Sequence, residues 1–172
     1  MSKTVQAATR QRLEMQGFIG CDNRTLGTIR PWLRVAPAIC GIWMAAAVFS
    51  GSALALWALV PFALLGALLR VHPFDLPYNA VIRRWAATPA IPAYAAPRRF
   101  ACLLAAVWIS LTAWMFQTNA TRLGLFLGLA FIVFPALYVM SDFCVVSWLY
   151  DRTRRSFARA GALVLSRSTR RE

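Results

Sequence analysis

Between Arg34 and Arg70 the chain runs for 35 residues without a charged side chain. One membrane crossing takes about 20 apolar residues, so the run is too long for a single span. It reads as two helices, 35–49 and 53–69, joined at Ser50-Gly51-Ser52, where small polar residues and glycine favour a turn. A second apolar pair follows at 100–116 and 123–141, with Gln117 to Thr121 between them. One long tilted helix over 35–69 is the alternative. It would leave the five arginines of the middle segment outside, against the retention of Lys and Arg in cytoplasmic loops.

The basic residues set an orientation. Of 19 Lys and Arg, all except Arg122 lie in the N-terminal arm, the middle segment or the C-terminal tail. The predicted fold is an all-α membrane protein with four transmembrane helices as two hairpins and both termini cytoplasmic. Its parts are an interfacial arm over 1–34, a first hairpin over 35–69, a Pro-rich loop over 70–99, a second hairpin over 100–148 and a basic tail over 149–172. The first 30 residues are polar with no apolar core, so the first helix is predicted to be an uncleaved anchor in a bacterial plasma membrane. The net charge of +13 flanks helix ends and forms no separate basic domain. Anionic lipid headgroups, worth about 1 kcal/mol per basic residue near the surface, account for it without nucleic acid.

Finer features follow from residue type. A polar helix is expected over 4–16, broken by Gly17 and Gly20. From Thr25 to Trp32 the pattern gives a short amphipathic turn at the headgroups, with Arg24, Arg30 and Arg34 reaching lipid phosphate. Pro89, Pro92 and Pro97 favour an extended lid across the inner end of the bundle. Trp32, Trp85, Trp148 and Tyr150 are the expected interfacial anchors. Gly124 and Gly128 form a small-xxx-small pair, for which Ala101 and Ala105 offer a matching face, and Pro135 should kink the fourth helix. Beyond it, Asp151 to Leu165 reads as a helix with Arg152, Arg154, Arg155 and Arg159 on its polar side.

Chemistry has few carriers: one His, four Cys and six acids. His72, Asp75, Cys21, Cys102, Asp142 and Cys144 are all expected within two helical turns of the inner interface, with Cys40 deeper. Two cysteines on neighbouring helices can pair when their Cα atoms come within about 7 Å. Cys102, Cys144, His72 and Asp142 offer the N, S and O donors that zinc takes. Neither C-x-x-C nor H-x-x-x-H is present, so packing and ion pairing are the expected roles. Asp142 is expected to pair with an arginine of the middle segment, Arg98 and Arg99 being the candidates. Asp75 should cap a turn or pair with a neighbouring arginine, and His72 should cap the end of the second helix. A single His excludes bis-histidine haem ligation, and the apolar helix centres lack the midplane charges of pumps and transporters. No catalytic residue and no cofactor are assigned, and bound lipids are expected.

His72-Pro73-Phe74-Asp75, Pro97-Arg98-Arg99-Phe100-Ala101-Cys102 and Asp142-Phe143-Cys144 resemble segments of an uncharacterised bacterial family of small four-helix membrane proteins, a domain of unknown function. The resemblance covers about residues 20–150. Members commonly close helix four with Phe-Cys-x-x-Cys, and here Ser147 stands at the second cysteine, so the resemblance implies a thiol role without its resolving partner. The leading functional expectation is a non-catalytic accessory subunit of a respiratory or photosynthetic type of membrane complex, packed against integral membrane partners and binding lipid. The alternative is a thiol-redox or metal-binding protein using Cys102, Cys144 and His72.

Overall fold

The structure, a computed structural model, describes the backbone of residues 5–168 and the side chains of 5–157. The ends of both basic arms, including Lys3, Arg170, Arg171 and Glu172, lie outside the described residues, as does the Arg159 side chain. Among the described residues the chain is wholly helical: α1 (Ala7–Met15), α2 (Asn23–Leu33), α3 (Val35–Phe49), α4 (Ala53–Leu68), α5 (Arg83–Trp85), α6 (Ala96–Gln117), α7 (Thr121–Ser141) and α8 (Val145–Ser168). Asn23–Phe49, Ala96–Gln117 and Thr121–Ser141 are long and apolar enough to cross a membrane. A fourth span results if α4 is counted with Pro73–Trp85, which bends away from it by 81°.

The hairpin turns follow their residues. Gly51 takes a φ of +64°, and the Ser52 hydroxyl accepts from the Ala55 N–H at 3.2 Å, capping α4. α6 starts at Ala96, four residues before the predicted apolar run, because Pro97 fits the first helical turn. Helices α3 and α4 are 15 and 16 residues long, about 23 Å each, whereas α6 and α7 at 22 and 21 residues reach about 32 Å. The four close in a ring: α3 on α4, α4 on α6, α6 on α7 and α7 on α3.

Two apolar cores result. One runs through the ring and includes Met44, Val48, Leu56, Leu59, Ile109, Phe116 and Phe131. The other sits beyond the end of the ring opposite the two hairpin turns, where Leu13, Phe18, Leu26, Ile29 and Leu33 of the N-terminal arm pack on Tyr78, Ile91 and Tyr94 of the middle segment. This second core corrects the reading of 25–32 as a lipid-facing turn. Residues 23–33 form a full helix whose apolar side is covered by protein.

Candidate functional site

A cavity of about 190 Å³ lies where the two cores meet, with walls that are almost entirely apolar. Cys40 from α3, Cys102 from α6 and Cys144 just before α8 line it, together with His72, Tyr94, Arg98 and Tyr138. All three cysteines are free thiols. Arg98, Cys102 and Ala105 reach it from one face of α6, since residues three and four apart are neighbours on a helix.

Arg98 is the centre of this arrangement. Its side chain is 6% exposed and its guanidinium stacks on aromatic rings, 4.3 Å from the Tyr94 centroid, 5.3 Å from Phe18 and 5.7 Å from Tyr138. Nη2 donates to the Leu33 carbonyl at 3.1 Å. That acceptor exists because Pro37, four residues on, has no N–H to close the helical bond. Nη1 has no hydrogen-bond partner, and among the described residues no carboxylate comes within salt-bridge distance of Arg98. A buried cation without an anion is costly, because several kcal/mol of hydration is lost and little regained. The Tyr138 hydroxyl beside it is also buried without a partner.

The neighbouring polar groups are tied to one another. The Tyr94 hydroxyl donates to Asp75 at 2.5 Å, and the second Asp75 oxygen has no partner. Burial holds the Tyr94 phenol well above its usual range, so it keeps its proton for that bond. His72 Nδ1 accepts from the Phe74 N–H at 3.3 Å, capping the following turn and not the end of α4. Burial, with the Arg98 charge adding to it, lowers the His72 imidazole to about 4, so it is neutral near pH 7. A Cβ placed on Gly66 would lie 3.0 Å from His72 Nε2 and 3.1 Å from Cys102 Sγ, which puts those two atoms within about 6 Å of each other.

Asp142 pairs elsewhere than expected. Its side chain is 1% exposed and takes Arg34 through two bonds of 2.7 Å and Arg30 through another of 2.7 Å. Both arginines belong to the N-terminal arm, which corrects the assignment of a middle-segment partner and the placing of these arginines on lipid phosphate. Arg99 instead donates to the Ala67 and Leu68 carbonyls, closing the end of α4. Arg98, Arg99 and Asp75 thus make no ion pair among the described residues. Burial raises the Asp142 carboxyl, but the hydrogen bonds from Arg34 and Arg30 outweigh it and hold it below its usual range. Arg12 donates to the Ser141 carbonyl at 2.6 Å and Gln16 to that of Asp142 at 2.8 Å, so the arm also caps α7.

The other predicted residues separate. Gly124 and Gly128 do not meet Ala101 and Ala105, which line the cavity; they pack against Phe116 and Val48. Trp85 is almost fully exposed, Trp32 stacks on Tyr78 at 4.7 Å, and Trp148 and Tyr150 belong to α8 and not to the end of α7. Among the described residues no three His, Cys, Asp or Glu side chains gather to hold a metal ion, so His72, Cys102, Cys144 and Asp142 do not form the donor set considered above. Residue spacing gave no sign of Tyr138, Gln16 or Phe18 at the site. The one available signal was the lone polar tip of Tyr138 near the end of an otherwise apolar helix.

The sequence model of a domain of unknown function, DUF4395, matches residues 30–155. The chain belongs to the DUF4395 family. Nothing among curated proteins or solved structures matches it. The DUF4395 match takes in Arg30, Arg34, Asp142 and every cysteine of the cavity, while Arg12 of α1 and the following Gln16 and Phe18 precede it.

Proposed function

We propose that this DUF4395 protein carries out thiol chemistry in the cavity at the inner end of a four-span bundle in a bacterial plasma membrane, with both termini on the cytoplasmic side. One observation carries the reading: three free cysteines and a neutral imidazole from separate parts of the chain line one partly open apolar space. Cysteine alone is commonly a packing residue. Three in one cavity beside a buried, unpaired guanidinium are poorly explained by packing. In the proposed step the Cys102 sulfur attacks a substrate disulfide, its proton passing to the departing sulfur, so that a mixed disulfide forms and one thiol is released. Cys144 then attacks the mixed disulfide and releases the other, so two protein thiols are oxidised as one disulfide is reduced. The exclusion of Lys and Arg from all external connections save Arg122 supports the orientation.

The test is oxidation of the purified protein with diamide, followed by denaturation and alkylation with a polyethylene-glycol maleimide. Cys102 and Cys144 should be lost to labelling together in the native sequence, and each should remain free when the other is Ser. Independent labelling of both after oxidation would sink the reading.

An accessory-subunit role is the second reading. It is supported by Leu76, Val81 and Trp85, exposed apolar side chains on the segment that bends away from α4. Integral membrane partners or anionic lipid would cover them. Purification from native membranes in mild detergent should then bring other chains along, and a lone monomer counts against it.

A further inference from the structure

The same cavity carries a charge preference, which names the substrate class of the thiol site and to that extent rests on the reading above. A cation stacked among three aromatic rings, with one nitrogen unsatisfied, has no carboxylate within ion-pair distance among the described residues. Asp75 acts on Arg98 only at longer range: one of its oxygens is held by Tyr94, and it makes no ion pair with Arg98. The unpaired Tyr138 hydroxyl adds a second donor at the same place. One helical turn along α6 lies the Cys102 thiol, and beyond it the walls are apolar. The volume is modest. A cavity of about 150 Å³ takes a benzene-sized molecule, so about 190 Å³ suits a body of a few more atoms.

We infer that Arg98, with Tyr138 beside it, receives the anionic end of a small thiol or disulfide, a carboxylate- or sulfonate-bearing molecule whose sulfur reaches Cys102. The guanidinium gains the charge-assisted hydrogen bond it lacks, and the apolar walls take the carbon body. The anion fixes the distance to the thiol, so neutral and cationic disulfides of the same size are discriminated against by the unpaired charge they leave behind.

Methanethiosulfonates that differ only in charge test this directly: the anionic 2-sulfonatoethyl, the neutral 2-hydroxyethyl and the cationic 2-trimethylammonioethyl reagents. They are applied in mild detergent to protein whose only thiol is Cys102, and to protein whose only thiol is Cys21, which does not line the cavity. The anionic reagent should modify Cys102 about tenfold faster than the neutral one, with the cationic reagent slowest, and Cys21 should show a much smaller spread. Arg98→Met should erase the preference. Tyr138→Phe, which keeps the ring under Arg98, should reduce it a few-fold and serves where Arg98→Met does not fold. Equal anionic and neutral rates at Cys102 with Arg98 and Tyr138 in place overturn the inference, as does a preference that survives Arg98→Met. Failure of the diamide experiment with a retained charge preference would remove the thiol mechanism and leave the anion site. The opposite pair of results would remove the anion site alone.

Discussion

Asp142 illustrates how much one side chain can hold here. It sits in the left-handed region, with φ at +57°, and anchors two arginines. Asparagine tolerates that backbone and keeps the shape, so Asp142→Asn removes the charge and turns one accepting oxygen into a donor facing an arginine. The expected loss is about 1–3 kcal/mol, below the figure for a fully buried pair because both arginines are partly exposed. The pH dependence has a definite sign. The carboxyl is lowered in the folded state, so its contribution is complete above the ordinary carboxylate range and fades as pH falls through the lower folded value. Thermal unfolding of the native protein and of Asp142→Asn should therefore converge in acid. Gly66 is a second sensitive position: a methyl group there would meet the His72 ring at 2.4 Å. Gly66→Ala should change the alkylation rate of Cys102 along with an overpacking cost of about 1–3 kcal/mol, which separate rate and unfolding measurements resolve. At this scale the residue list was legible and the pairings were not. His72, Cys102 and Cys144 could be named from their scarcity. Nothing in the sequence said that Asp142 would be claimed from 108 and 112 residues earlier, or that Tyr138 would stand beside Arg98.

Among the elements, prolines and glycines decide how the helices meet. Pro37 leaves the Leu33 carbonyl open for Arg98. Pro37→Ala would supply the missing N–H and compete for that carbonyl. The expected result is an unchanged or slightly raised melting temperature with a weaker charge preference at Cys102. Gly128 lets α7 approach α3, and a Cβ there would stand 2.4 Å from Val48 Cγ2. Gly128→Ala should cost about 1–3 kcal/mol after its gain in helix propensity, and Val48→Ala in the same protein should recover much of that. The helices themselves could be read from the sequence, because uninterrupted apolar runs bounded by Ser-Gly-Ser or Thr-Asn leave the chain few options. The amphipathic segment over 23–33 was harder. Leu26, Ile29 and Leu33 fit a lipid surface and a protein core equally well, and only the positions of Ile91 and Tyr94 distinguish them.

For the whole molecule, one end of the bundle is built from two distant parts of the chain, the N-terminal arm and the middle segment, and the opposite end is two short turns. Removing residues 1–20 takes away the caps on α7 made by Arg12 and Gln16, and the Phe18 ring over Arg98. The ring of four helices should persist, while maleimide labelling of Cys102 rises on the order of tenfold as the lid opens more often. Circular dichroism and labelling kinetics on one preparation separate the two effects. The grip of Asp142 on Arg30 and Arg34 has a consequence for how the molecule is made. The arginines leave the ribosome more than a hundred residues before the carboxylate that holds them. The arm can pack on Tyr78, Ile91 and Tyr94 earlier, but its ionic clasp closes only once the last hairpin is in place.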